Sequence, residues 1–426
     1  MNTTSSRRQF LQTTAVAGVT IMKAQTAFGY SANSAVNLGI IGCGGRGTHV
    51  ASSFMEHTNT RVAAIAELFE DRLEKGREHF NINNTAQGYP ELSKSRLFCG
   101  STAYKRLLDQ KDIDAVLIAT PPFLHPEHLT ATVDAGKHVY CEKPVSVDVH
   151  GCREVEYAGE KAEGRLSLAV GFQIRHATPF VELVTRIHNG DLGDIVMAEG
   201  DYLAGALTLP EYPGASADEL RIRHWIHDRA LSGDIIVEQG IHVIDIFNWV
   251  LDTHPLKATG TGGREGRSDT GNNWSHFMVT YEYPGTIPVS FHSTQYTPGY
   301  GDVFERFFGT KGIAESHYSG GVFIKGENEW DSGAARGTTE EINKKDWATG
   351  EFKSALEDAD PNKEKAFIES ITTGKYINEA HEGAQSALTG ILGRTAAYRG
   401  DEVTWDELIA SDEKWDPMIN LTRFDT

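Results

Sequence analysis

The chain of 426 residues reads as an α/β protein in two parts. An N-terminal doubly wound parallel sheet is followed by an α+β domain built on a mostly antiparallel sheet. Three observations predict this. Strand-like apolar runs alternate with helical stretches over residues 36–145, which implies parallel strands joined by crossover helices. The first of these runs opens directly into a glycine loop. Beyond residue 150 the pattern shifts to two-residue alternation, the mark of half-buried antiparallel strands.

The elements follow in order. Leu38 to Ile41 is a buried strand, and Thr48 to Met55 a helix. Arg61 to Ala66 is the second strand, with a helix from Asp71 to Phe80 and a polar loop from Asn81 to Ser95. A short helix, Tyr104 to Gln110, precedes the apolar strand Ala115 to Ala119, which ends at Thr120-Pro121-Pro122. A helix over Pro126 to Ala135 leads to the strand His138 to Cys141, with Glu142-Lys143-Pro144 at its carboxyl end. After a helix from Val149 to Glu163 come alternating strands at Val196 to Tyr202, His276 to Tyr283, Pro288 to Gln295 and Gly321 to Lys325. Residues 327–363 read as surface loops, and two helices close the fold at Lys363 to Thr372 and Glu382 to Tyr398. The divisions are a leader over 1–34, a dinucleotide-binding domain over 35–157, a second domain over 158–400 and a tail over 401–426.

The glycine loop spells G-x-G-x-x-G across Gly42, Gly44 and Gly47, with Gly45 and Arg46 inside it. In the Rossmann arrangement the first glycine makes the tight turn, the second lets a pyrophosphate approach the backbone, and the third packs helix against strand. The helix N-terminus then offers free N–H groups to the phosphates. Glu67 ends the next strand, twenty residues beyond Gly47, where an acid hydrogen-bonds the ribose hydroxyls. A carboxylate there repels the extra phosphate of NADP, so NAD is the expected cofactor. Arg46 and Arg72 are the features that would favour NADP. Ligands bind at the carboxyl ends of parallel strands, which adds Thr120, Pro121, His125, Glu142 and Lys143 to the expected cofactor site.

The formal charge is −19, which disfavours nucleic acid and anionic membranes as partners. The apolar content of 39% suits a chain with real cores, and no apolar run is long enough to span a bilayer. Ser6-Arg7-Arg8-Gln9-Phe10-Leu11 and the mildly apolar stretch Thr14 to Met22 resemble a twin-arginine export leader. That predicts a periplasmic or otherwise exported protein and the twin-arginine translocase as a partner. Residues 1–30 carry three basic residues and no acid, so their loss takes the charge from −19 to −22. Twin-arginine export carries folded proteins, so the cofactor should be tightly bound and regenerated within each cycle. Cys43, Cys99, Cys141 and Cys152 show neither C-x-x-C nor zinc spacing and read as small core residues.

Two constellations carry chemistry. Lys143 stands before Pro144, which biases it toward an extended backbone and aims its ammonium into the cleft to bind a hydroxyl and help remove its proton. The second is Ser232 to Val250, apolar almost throughout and read as one buried helix. Glu238, His242 and Asp245 then share a face. Two acids and a histidine are costly to bury unless they have partners, so the stripe should face the cleft. A histidine titrating near neutrality and oriented by a carboxylate suits removal of a carbinol proton. Metal binding is the rival role, with His224, His227, Glu238 and His242 as ligands; no diagnostic spacing supports it, and no metal is expected. Arg175, His176, Asp201, Tyr202 and Asp245 are candidate sugar contacts.

These motifs together resemble the Gfo/Idh/MocA family over roughly residues 36–400. The likeness rests on Ile40 to Gly47, on Ala119-Thr120-Pro121-Pro122 with His125, on Ala135 to Val139 running into Glu142-Lys143-Pro144, and on Glu238 to Asp245. It implies a Rossmann domain followed by an open-faced sheet, through which dimers or tetramers form. It implies Lys143 as catalytic lysine, His242 as acid/base, and a carbohydrate or polyol substrate. Glu238 stands where many members have Asp, which leaves its role open between orienting His242, contacting substrate and binding a metal. Some exported relatives resemble redox-neutral NAD-dependent glycosidases, which makes that chemistry an alternative to net oxidation. A non-catalytic sugar-binding protein on the same fold is the third reading.

Overall fold

The structure is a computed structural model and describes residues 35–296, 301–334 and 355–425. The leader expected over 1–34 lies outside the described residues.

Six parallel strands form the first sheet: β1 (Val36–Ile41), β2 (Thr60–Glu67), β3 (Leu97–Cys99), β4 (Ala115–Ile118), β5 (His138–Cys141) and β6 (Leu168–Val170). Their order is β3-β2-β1-β4-β5-β6. The direction of winding reverses between β1 and β4, which opens a crevice at their carboxyl ends. These strands are buried on both faces, and every residue of β4 is fully inaccessible, which is why they read as continuous apolar runs. The crossovers are α1 (Gly45–His57), α2 (Glu70–Ala86), α3 (Ala103–Leu108), α4 (His125–Asp134) and α5 (Val149–Ala162). Gly42 has φ of 91°. A Cβ on Gly47 would fall 2.1 Å from the Gly42 carbonyl oxygen, so a side chain there would push α1 off the strand.

The polar stretch after Phe80 begins as helix, with α2 running on to Ala86. Asn84 donates to the Val62 carbonyl at 2.9 Å, and Asn81 accepts from the Leu92 N–H at 2.7 Å. Tertiary hydrogen bonds therefore carry α2 six residues beyond its expected end.

The second sheet has nine strands: β7 (Ile195–Ala204), β8 (Lys257–Gly263), β9 (His276–Tyr283), β10 (Ile287–Gln295), β11 (Asp302–Gly309), β12 (Gly312–His317), β13 (Phe323–Gly326), β14 (Trp330–Asp331) and β15 (Val403–Thr404). Their order is β14-β13-β12-β11-β7-β10-β9-β8-β15. The β7–β10 pair is parallel and the other pairs are antiparallel. Phe277, Val279, Tyr281 and Tyr283 of β9 point into the core while Met278 and Thr280 point out, as period-2 alternation requires. The sequence reading did not anticipate β8, β11 and β12, and it took the β14 region for loop. β8 is Lys-Ala-Thr-Gly-Thr-Gly-Gly, too poor in branched residues to announce a strand.

Helices α6 (Thr178–His188), α7 (Ala217–Arg223), α8 (Arg229–Ser232), α9 (Ile235–Glu238), α10 (Ile241–Leu251), α11 (Ala359–Thr373), α12 (Ala380–Arg399) and α13 (Trp405–Ser411) complete the fold. The single buried helix expected from Ser232 to Val250 is thus broken. A Cβ on Gly240 would meet the Ile236 carbonyl at 2.6 Å and the Phe291 ring at 2.8 Å, and the chain turns there between α9 and α10. Helix α12 packs against both α5 and β8. Its fully buried Arg394 donates to the carbonyls of Val147 and Gly233, so one side chain ties the two halves together.

Candidate active site

The site lies where the carboxyl ends of the parallel strands face the α9–α10 turn. The glycine loop fits a dinucleotide phosphate. No side chain caps the N-terminus of α1, and no acid occupies its first turn. A Cβ on Gly45 would touch nothing, and one on Gly44 would come only within 3.9 Å of Arg72, so ligand can approach the backbone here.

Glu67 stands at the end of β2 as expected, but its oxygens are engaged. One accepts from the Cys43 N–H at 3.0 Å, the other from the N–H groups of Leu68 at 2.8 Å and Phe69 at 3.3 Å. The carboxylate thus shapes the loop from below. Arg46 does not point at the phosphate position. Its Nε donates to Glu142 at 2.9 Å, and its terminal nitrogens reach Asp360 of α11 at 3.3 and 3.4 Å. The His125 ring is buried between the carbonyls of Thr120 and Pro144, 2.7 Å from each. It pins the turn after β4, with Thr120 and Pro121, to the turn after β5.

The Lys143–Pro144 peptide is cis. The Lys143 ammonium donates to the Glu238 carbonyl oxygen at 2.9 Å and to its carboxylate at 3.1 Å. Lysine and glutamate, 95 positions apart, meet across the cleft. His242 lies one turn beyond the break, 7% exposed. It stacks on Tyr202 at 6.2 Å and meets the edge of Tyr318 at 6.3 Å. Its Nδ1 is buried with no hydrogen-bond partner. Burial, then the positive charges of Lys143, Arg46 and Lys363, hold its pKa well below the ordinary histidine value. The expectation of a carboxylate-oriented imidazole titrating near neutrality is therefore corrected: Glu238 serves Lys143, and His242 is held neutral by its surroundings.

Asp245 does not join them at the cleft surface. It is buried and accepts a bidentate pair from Arg175 at 2.8 and 2.9 Å, with a third bond from Ser386 at 2.7 Å. Two residues expected to contact substrate thus satisfy one another. Asp201 pairs with His292 at 2.6 Å on the other face of the sheet. The rival metal set does not assemble. His224 lies 2.8 Å from the Pro210 carbonyl, His227 lies 4.0 Å from Asp269, and Glu238 is bound to Lys143. Among the described residues, no three His, Cys, Asp or Glu side chains are grouped to hold a metal. The four cysteines are free thiols.

Sequence reasoning missed Asp360 and Lys363. Lys363 is buried and donates to Asp360 at 2.6 Å, which completes a chain from Glu142 through Arg46 into α11. The spacing of Lys363 and Glu364 beside Phe367 and Ile368 was the available signal, because two charges beside an apolar pair mark a helix face that buries its charges.

Known proteins share the sequence pattern and the fold of both domains. Residues 36–171 match a family model described as "Oxidoreductase family, NAD-binding Rossmann fold", and residues 180–315 match the GFO/IDH/MocA C-terminal domain. Inositol 2-dehydrogenase of Salmonella typhimurium is 26% identical over 215 residues, which cover 50% of this chain and 54% of that protein. The chain thus spans little more than half the relative's length. Inositol 2-dehydrogenase 2 of Saccharopolyspora erythraea is 28% identical over 59% of this chain and 65% of its own. The crystal structure of aldose-aldose oxidoreductase from Caulobacter crescentus, complexed with glycerol, shares the fold with a TM-score of 0.65 at 21% identity. The match covers 87% of this chain and 99% of that one. Matched in both its halves, the chain belongs to the Gfo/Idh/MocA family of oxidoreductases.

Proposed function

We propose that this protein oxidises a secondary alcohol of a sugar, glycoside or polyol, with NAD held tightly in the glycine-loop cleft. The observation that carries the reading is the meeting of Lys143 and Glu238 beside buried His242, at the strand ends that face the loop. A bound nicotinamide supplies the hydride acceptor; the protein must place the carbinol and remove its proton.

An ammonium has three donors, and Glu238 takes two of those on Lys143. The third is free to hold the substrate hydroxyl oxygen and to stabilise negative charge as it develops there. His242, kept neutral, accepts the hydroxyl proton. Tyr202 and Tyr318 wall the ring on two sides, which excludes water from the proton's path. Glycine-loop N–H groups, the Thr120-Pro121 turn and the end of β2 would hold the dinucleotide. The choice of NAD is supported by Glu67, a carboxylate at the end of β2 that would repel the extra phosphate of NADP. The substrate class is supported by the names of the relatives, which act on inositols and aldoses.

The reading includes export through the twin-arginine translocase to the periplasm, on the strength of Arg7-Arg8 with Phe10-Leu11. It also includes a homodimer or homotetramer assembled through the second sheet, whose outer face leaves Met197, Met278 and Ile313 exposed. The experiment gives the purified protein a panel of inositols, aldoses and aryl glycosides, and follows nicotinamide reduction together with aglycone release. Reduction that stalls until fresh acceptor arrives supports the proposal. Sustained release without net reduction would replace it with a redox-neutral glycosidase. Nucleotide binding with no turnover on any member would replace it with a binding protein.

A further inference from the structure

We propose that the nucleotide site extends beyond the Rossmann half, with Tyr212, Arg223 and Phe424 closing its adenosine end so that the cofactor is a resident, slowly exchanging group. This rests on the dinucleotide reading above and names the residues that would make the binding tight.

The adenosine ribose of a dinucleotide lies at the acid that ends β2. The loop after β2, and its neighbour after β3, are covered here by chain from elsewhere. Phe69, two residues past Glu67, is buried. The Arg223 guanidinium stacks on it at 3.9 Å and on Tyr212 at 4.5 Å on its other side. The same guanidinium makes a bidentate pair with Asp71 at 2.8 and 3.2 Å and donates to Glu219 at 2.8 Å. The Tyr212 hydroxyl lies 3.5 Å from Arg72, the side chain nearest to a Cβ placed on Gly44.

The C-terminal tail adds a second strap. Phe424 meets Phe69 edge-on at 5.6 Å. Asp425 accepts from the Ser101 N–H at 2.6 Å and from its hydroxyl at 2.9 Å, just past β3. Arg423 reaches Asp218 of α7 at 3.2 Å, so strap and tail are tied to each other. Upstream, the tail is held by Asp148, which accepts from the Trp415 N–H at 2.8 Å. A groove of about 310 Å³ remains among Phe69, Asp71, Arg223 and Phe424.

Two segments from outside the parallel sheet therefore grip its adenosine end through ion pairs and stacked rings. Arginine is the side chain suited to do both at once, because its planar fork pairs with a carboxylate while its faces stack. Freeing the adenosine end requires breaking the Arg223 sandwich and lifting Phe424. The clamp should slow nucleotide release far more than capture, since affinity differences among related complexes lie mostly in the off-rate.

The test uses the chain described above, its Arg223→Ala, Arg223→Lys and Phe424→Ala variants, and a form ending at Asn420. Each is loaded with NADH and chased with excess NAD, and the loss of bound-NADH fluorescence gives the release rate. Thermal unfolding confirms that each variant folds. Release should quicken by at least about tenfold in Arg223→Ala and in the shortened form. Arg223→Lys should be intermediate, because it keeps the charge and loses the stack. Release at the parent rate in both Arg223→Ala and the shortened form overturns the clamp. A parent protein that binds no NADH at all overturns the dinucleotide reading itself, a separate failure.

Discussion

The Lys143 ammonium touches Glu238 twice, at the carbonyl oxygen at 2.9 Å and at the carboxylate at 3.1 Å. The contact joins a residue from the end of β5 to the last residue of α9 across the candidate cleft. The backbone contact persists whatever replaces the Glu238 side chain, while the carboxylate contact fixes how the remaining N–H is aimed.

Lys143→Ala should therefore lower kcat by at least about 100-fold and leave nucleotide binding close to that of the parent. Glu238→Gln, whose amide oxygen can still accept from Lys143 but carries no charge, should cost about tenfold in kcat. Steady-state kinetics on the best substrate of the panel, with nucleotide titrations alongside, check both. Full activity in Lys143→Ala would remove that residue from the reaction.

Arg46 separates a structural from a ligand-binding role. Its guanidinium bridges Glu142 and Asp360. Arg46→Ala leaves buried Glu142 without its cation and Asp360 with that of Lys363, and should destabilise the fold by about 3 kcal/mol. Urea unfolding measures this. Unchanged stability with weakened nucleotide affinity would show that Arg46 serves the phosphate after all.

What was legible in the sequence was whatever a short window contains. Gly42 to Gly47, Glu67 and Glu142-Lys143-Pro144 are contiguous motifs, and the apolar strands around them carry their own periodicity. The partners of those motifs are far away in the chain. Asp360 lies 314 positions from Arg46, and no local pattern can announce the pairing. Glu238, His242 and Asp245 were placed on one helix face because their spacing fits 3.6 residues per turn. Regular helix is interrupted at Gln239-Gly240, between α9 and α10, and the three side chains found three different neighbours. The alternation in β11, Val303, Glu305 and Phe307 inward, was obscured by the buried Glu305 at its centre.

Glu364 offers a pH test of stability. Its carboxylate is fully buried on α11, accepts from the Ser53 hydroxyl at 2.5 Å, and has one oxygen with no partner. Burial pushes its pKa up to about 8. The folded protein thus holds a proton that the unfolded chain gives up above the ordinary glutamate value. The stability tied to that proton is fully present below about 4.5 and is lost as pH rises through about 8. Glu364→Gln should remove a loss on the order of 3 kcal/mol between pH about 5 and 9. Urea midpoints across that range measure it, and equal pH dependence in parent and variant would contradict the protonated state.

His242 offers the corresponding test of mechanism. A base must be unprotonated to work, so activity falls as pH drops through its pKa. An unperturbed histidine would place that fall near 6.5. Burial and the nearby charges of Lys143, Arg46 and Lys363 hold His242 well below this value, so the acid limb of kcat/KM belongs well below pH 6.5 and the profile should be level between about 6 and 7. Removing the positive charge of Lys363 relieves part of the repulsion, because Lys363 is among the groups that lower the imidazole. Lys363→Met should move the acid limb toward higher pH while His242→Gln lowers kcat by about 100-fold or more. A limb at 6.5 or above in the parent, or one that Lys363→Met leaves in place, would mean that the proton is taken by another group.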